Sequence, residues 1–280
     1  MENKSIQVEN LPVIKLHPFE GHPFQVKDNE EMEHLAESIK ERGILTPLVV
    51  RSLPNGEYEV ISGHRRLHAC KKAGVNTVPA FVCSMDRDKA AIALVDSNLH
   101  REHILPSEKA FAYKLKMEAM SHQGTSGQPG QKWTRDEIAE KSSDSARQVQ
   151  RYIRLTKLQT ELLQMVDEGR IALTPAVELS YLREEEQKAL INAMGAEDCT
   201  PSLSQAVKMR KLSQSGVLQP ERIEKIMAEP KANQKERISI DYSQVREYFP
   251  QNMSPFRVKN EILRLIKENF IKQRKNRGGR

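Results

Sequence analysis

Ile61-Ser-Gly-His-Arg-Arg-Leu-His-Ala69 decides how the first third of this chain folds. The alternating run Glu57-Tyr-Glu-Val-Ile-Ser62 reads as a strand, Gly63 breaks it, and a helical run opens on paired arginines. A helix that starts this way offers free backbone N–H groups, and a glycine lets an anion approach them closely. Arg65 and Arg66 add guanidinium forks suited to phosphate. Ser62, Gly63, His64, Arg65 and Arg66 are therefore a candidate cofactor-binding group. The same pattern also suits a plain strand-to-helix turn with solvated arginines.

Outward from this turn, strand and helix alternate. Pro47-Leu-Val-Val-Arg51 reads as a strand, Pro54-Asn-Gly56 as the turn into the next one, and Val78 to Val82 as a third. Glu30 to Arg42 carries Met32, Leu35, Ala36 and Ile39 at the spacing of one helix face, with Gly43 as its stop. Leu67 to Lys72, Ala90 to Leu99 and Pro106 to Met120 are predicted helices. The expectation is an α+β N-terminal domain over 1–121, with a small mixed sheet and helices. His122 to Lys132 (HQGTSGQPGQK) holds three glycines and a proline and predicts a flexible linker over 122–132. An all-α domain is expected over 133–230. A basic C-terminal segment follows over 231–280, with a strand-like run and a helix from Pro255 to about Lys272.

The 280 residues carry a net charge of +6, unevenly distributed. Residues 1–120 hold 16 Lys and Arg against 17 Asp and Glu, whereas Lys259 to Arg280 hold 8 against 2. A basic tail suits nucleic-acid phosphates, and equally a solvated face. Cys70, Cys83 and Cys199 form neither a disulfide framework nor a metal-ligand pair. His17, His22, His34, His100 and His103 lack metal-ligand spacing as well. With no signal peptide and no apolar run of membrane length, a soluble cytoplasmic protein is expected.

A second motif lies in the helical part. Thr134-Arg-Asp-Glu137 is a capping box opening a helix, Arg135 to Lys141, with Ile138 and Ala139 inward. Ser142-Ser-Asp144 makes a turn, and Ser145 caps a helix to Leu155 with Val149, Tyr152 and Ile153 inward. This is helix-turn-helix spacing over 134–158, in which the second helix enters the major groove. Ser145, Arg147, Gln148, Gln150, Arg151 and Arg154 are the candidate DNA-binding residues, since arginine forks onto guanine and glutamine onto adenine. An ordinary helical pair with a wet polar face gives the same pattern.

Ser97-Asn-Leu-His-Arg101, between two helices, adds Asn98 and Arg101 to the cofactor group. Asn98 is also a candidate Mg²⁺ ligand. With this segment, the chain resembles the ParB family of partition proteins. The motifs that carry the resemblance are Leu35 to Arg51, Ser62-Gly-His-Arg-Arg-Leu-His-Ala69, Asn98-Leu-His-Arg-Glu102 with Leu105-Pro-Ser-Glu108, and the helix-turn-helix behind them. The resemblance implies a fold of the ParB and sulfiredoxin type, a CTP and Mg²⁺ pocket, and clamp closure on double-stranded DNA at an inverted-repeat, centromere-like site. It also implies a homodimer and a ParA-type ATPase partner. Val258, Ile262, Leu265, Ile266 and Phe270 form a stripe that is either core or the dimer seam.

Three positions depart from the family pattern. His64 stands where the family usually has glutamate, Ser97 stands at an acidic position, and His22-Pro-Phe24 replaces Gln-Pro-Arg. No catalytic residue is assigned, and the expectation is nucleotide binding with weak or absent hydrolysis. Two alternatives remain, a transcriptional regulator without nucleotide switching and a ParB-fold nuclease. A sulfiredoxin would need a nucleophilic cysteine inside the arginine turn, and Cys70 lies beyond it.

Overall fold

The computed structural model describes residues 8–101, 103–123, 138–139, 142, 144–229, 242–250 and 253–277. The chain divides into two compact units, Met1–Glu229 and Pro230–Arg280. The capping box at Thr134–Glu137, most of the helix expected after it, linker positions 124–132 and the strand-like run after Lys235 lie outside the described residues.

The first unit opens with a five-stranded mixed sheet of order β1-β5-β3-β4-β2. Its strands are β1 (Val8–Pro12), β2 (Leu16–Pro18), β3 (Leu48–Ser52), β4 (Tyr58–Ser62) and β5 (Thr77–Cys83). β3 pairs antiparallel with β4 and parallel with β5, while β1 and β2 close the two edges. The sequence reading found β3, β4 and β5 and missed both edge strands. β2 has only three residues, and both edge strands end on a proline, which an edge tolerates because proline has no N–H to give to a ladder.

Successive strand residues point to opposite faces, and both faces are covered. Val50 and Val60 pack with Met32 and Ile39 of α1 (Glu30–Arg42) and with Leu67 and Cys70 of α2 (His64–Ala73). Their neighbours Val49 and Ile61 pack with Leu94 and Val95 of α3 (Arg87–Asn98) and Ala112 of α4 (Pro106–Gln123). This is the expected α+β arrangement.

The helical part follows, with α5 (Ala146–Leu155), α6 (Thr160–Asp167), α7 (Leu173–Leu179), α8 (Glu184–Glu197), α9 (Leu203–Gln214) and α10 (Pro220–Met227). Its core is aliphatic, built on Leu162, Leu179, Leu190, Met209 and Ile223. Helix α4 belongs to both cores. Ala112 and Ala119 face the sheet side, Ala110 joins the helical core, and Tyr113 packs on Ile138 and Val149.

In the second unit, α11 (Tyr242–Arg246) precedes α12 (Pro255–Arg277). Of the stripe read on α12, Val258 is buried and Ile262 half-buried, whereas Leu265, Ile266 and Phe270 are exposed. No described helix is long and apolar enough to cross a membrane.

Lys116 is fully buried on α4 and pairs with Asp96 of α3, whose side chain keeps 36% of its exposure. Removing one member of a buried pair leaves an uncompensated charge, whereas a hydrophobic replacement of the cation is often neutral. Asp96→Asn should therefore cost about 2 kcal/mol, less than the ~3–5 kcal/mol of a dry pair because Asp96 stays partly hydrated. Lys116→Met should stay within about 1 kcal/mol of the parent. Urea unfolding of both variants checks the order, and an equal loss in the two would refute it.

Candidate functional site

The turn between β4 and α2 has the backbone expected of an anion cradle. Gly63 caps α2 with φ 105°, in the left-handed region. A Cβ there would meet Leu48 Cγ at 3.0 Å and the Arg66 guanidinium at 3.1 Å, so glycine is required both by conformation and by space. The first-turn N–H groups of α2 have no acceptor within the helix, and no residue of that turn is acidic.

The paired arginines divide their work. Arg65 points to a cleft of about 740 Å³ that is also lined by Gln25, Lys27, Glu31, Arg101 and Glu108. An ion pair with Glu31 holds it there at 3.0 Å. Arg66 instead donates to the carbonyls of Thr46 and Pro47, the latter at 3.0 Å, and ties down the loop leading into β3. Arg101 lines the cleft with its guanidinium 5.5 Å from the centre of the Phe24 ring. Asn98 does not reach the cleft. It is buried and donates its amide to the Leu94 carbonyl at 2.7 Å and to Ser97 Oγ at 3.2 Å.

Three cations, Lys27, Arg65 and Arg101, face two carboxylates across this cleft, a donor set that fits a polyphosphate. Asn98 is not among the residues that line it, and its Nδ2 is turned back onto α3. Glu108 is also engaged, accepting from the backbone N–H groups of Gln25 at 2.8 Å and Leu105 at 3.0 Å. Among the described residues, no group of three or more His, Cys, Asp or Glu side chains is placed to hold a metal.

The departures at 22 and 64, far apart in sequence, meet in space. His22 and His64 stack with ring centroids 3.7 Å apart and planes 34° apart. His64 Nε2 accepts from the Phe19 N–H at 3.2 Å, and His22 lies edge-on to Phe24. Burial, opposed by a backbone hydrogen bond at Phe24 and helped by Arg101, lowers the pKa of His22 to about 4. Burial, then His22 and Arg101, lower that of His64 to about 3. Both rings are neutral near pH 7.

On the helix-turn-helix, Ser145 caps α5 by accepting from the Gln148 N–H at 3.3 Å. Arg147 and Gln150 are exposed, as a base reader must be. Arg151 is half-buried and donates to Gln148 Oε1 at 3.2 Å and Thr174 Oγ1 at 2.7 Å. Arg154, read as outward-facing, is instead fastened to α7, giving 3.1 Å to Ser180 Oγ and 2.8 Å to its carbonyl. The sequence reading missed Asp144 as more than a turn former. It accepts from Lys109 Nζ at 2.9 Å and Tyr113 Oη at 2.6 Å, tying the motif to α4. Gln25, Lys27, Glu31 and Glu108 of the cleft were missed too, since no local pattern marks residues brought together by the tertiary fold.

Residues 1–99 match the ParB N-terminal domain, and residues 104–212 match the ParB HTH domain. The chain belongs to the ParB family. A nucleoid occlusion protein of Geobacillus thermodenitrificans is 31% identical over 183 residues, covering 65% of this ParB-family chain and 61% of that relative's length. The chain thus spans under two thirds of that relative. Among solved structures, Caulobacter crescentus ParB, C-terminally truncated and complexed to the centromeric parS site, is 23% identical with a TM-score of 0.43. That match covers 78% of this chain and 98% of the other. The same protein complexed with CTP-gamma-S is 26% identical with a TM-score of 0.32, covering 66% and 97%.

A histidine held below its ordinary pKa of 6.5 binds a proton more weakly in the fold than in the unfolded chain. The stability tied to neutral His22 and His64 is therefore complete above pH 6.5 and is lost as pH falls from there toward about 4 and about 3. Melting followed by circular dichroism should show a drop between pH 7 and pH 4.5. The drop should shrink in the double variant His22→Gln/His64→Gln, and an equal drop in both proteins would count against the assignment.

Proposed function

We propose that this chain is a partition-type protein that binds double-stranded DNA at an inverted-repeat, centromere-like site and closes as a clamp when CTP occupies the cleft. The observation that carries the reading is the single helix α4, which packs on the phosphate cleft through Glu108 and holds the helix-turn-helix turn through Lys109 and Tyr113. Glu108 and Lys109 are adjacent in the first turn of that helix, so a ligand in the cleft would stand one residue from the anchor of the helix-turn-helix.

Arg147 and Gln150 stand free for base edges, with Gln148 and Arg151 beside them. Lys27, Arg65 and Arg101, with the free N–H groups of α2 around Gly63, would hold the phosphates. CTP is the nucleotide that the family resemblance implies. The lining residues account for the nucleotide and leave its metal without an assigned side chain. Hydrolysis is weak or absent on this reading, because His64 spends Nε2 on the Phe19 N–H and is not free to orient water.

The domain division at 1–121, 133–230 and 231–280 belongs to the same proposal, with the exposed apolar stripe of α12 as the homodimer seam and a ParA-type ATPase as partner. The protein would then work in the cytoplasm on the nucleoid. The relative named as a nucleoid occlusion protein favours a second role for the same activity, in which the bound DNA region marks the nucleoid rather than being moved.

Isothermal calorimetry with CTP and with ATP, each with and without a duplex selected by the protein from random DNA, tests the nucleotide half. CTP binding that Arg65→Ala abolishes supports it, and no heat with either nucleotide would sink it. For the DNA half, Arg147→Ala and Gln150→Ala should each weaken the selected duplex by about tenfold, the cost of one lost base contact. Arg65→Ala should leave that affinity unchanged. If all three variants lose the same affinity, the two-module reading fails.

A further inference from the structure

Tyr181 lies just past α7, 38% exposed, with two arginines on it. The Arg154 guanidinium carbon is 3.9 Å from the ring centroid and that of Arg210 is 3.8 Å. Two cations cannot share one face of a ring at that range, so the ring lies between them. Each guanidinium is also held from its outer edge. Arg154 donates to Ser180, and Arg210 of α9 donates to Glu178 Oε2 at 2.9 Å.

Arg154 is in the last turn of α5, seven residues after Arg147 and three after Arg151, on the same side of the helix. A free arginine there would reach for DNA phosphate or base. Here its charge is committed to a π-face and to a helix C-terminus, where a cation is favoured by the dipole. The commitment fixes the rotation of α5 about its own axis. That rotation sets where Arg147 and Gln150 point, and a contact to a base edge tolerates little misplacement.

We infer that Tyr181 and Arg210 are positioning residues for DNA readout, which lock Arg154 and through it the recognition helix in the orientation that presents Arg147 and Gln150. The inference rests on the DNA-binding reading of α5 and adds two residues outside the helix-turn-helix, neither of which touches DNA. The ring is where the cation of α5 and the cation of α9 meet.

The test uses the full chain and two duplexes, one selected by the parent protein from random DNA and one scrambled. Affinity is measured by fluorescence anisotropy across a salt series, with melting curves alongside. Tyr181→Ala should weaken binding to the selected duplex by about tenfold and leave the scrambled duplex within about twofold, as expected when two partly exposed cation–π contacts are lost together. Tyr181→Phe keeps the π-face and should restore the selected affinity. Arg210→Met should reproduce the loss without changing the slope of log affinity against log salt, because no phosphate contact is removed.

Unchanged affinity in both Tyr181→Ala and Arg210→Met overturns the inference, as does equal loss on the two duplexes. A slope reduced by about one in Arg210→Met would make Arg210 a phosphate contact and overturn it too. Should Tyr181→Ala melt below the assay temperature, Arg210→Met and Tyr181→Phe decide the matter alone. If the parent selects no sequence at all, the DNA-binding reading fails, an outcome separate from a flat response of the variants.

Discussion

Helix α4 is used on every side, and the rest of the first unit depends on that. Its N-terminus is held by Asp167 of α6, which accepts from the Ser107 N–H at 2.9 Å and its hydroxyl at 2.5 Å. One turn on, Lys109 and Tyr113 reach Asp144 in the helix-turn-helix turn. Another turn on, Lys116 is buried against Asp96 of α3. Burial and the Asp144 carboxylate raise the Tyr113 phenol well above its ordinary pKa, so the hydroxyl stays a donor throughout the physiological range. Each contact is polar and directional, so α4 cannot slide without breaking several at once.

The cleft is rigid for a different reason. Gly63 admits no Cβ, and Arg66, which a reader of the sequence takes for a second phosphate ligand, closes the space behind it instead. One arginine of the pair builds the turn and the other faces the ligand. The stacked imidazoles of His22 and His64 fill the neighbouring position with neutral, buried rings, beside the Arg101 guanidinium that burial already disfavours as a cation. A bound polyanion would offset the cost of burying that guanidinium, which Arg65 adds to and Glu108 partly relieves.

Much of this was legible in the sequence, and the remainder was not for physical reasons. Period-two and period-3.6 patterns located β3, β4, β5 and most helices, because those elements bury one face each. β2 escaped because it has only three residues and β1 because three of its five are exposed, and α2 begins three residues before Leu67 because its first turn is polar rather than apolar. Arg65, Arg101 and Ser145 lie where their motifs implied. Asn98 and Arg154 carry hydrogen bonds that the motifs did not imply, since a motif fixes the backbone position of a side chain but not which neighbour captures it. Both were captured by carbonyl groups that become acceptors only in the folded chain, at Leu94 and Ser180.

That capture bears on how a recognition helix is read. On α5 four long basic or amide side chains share one side, and a count of outward residues would credit all of them with contacts to DNA. The structure sorts them by what already holds them. Arg147 and Gln150 are exposed, Arg151 is braced by Thr174, and Arg154 is fully engaged with Ser180 and Tyr181. Freedom falls along the helix from its N-terminus to its C-terminus, the direction in which a recognition helix leaves the major groove. The residues with most freedom therefore stand at the end that would enter a groove on the proposed reading, and the charge at the other end would serve to aim them.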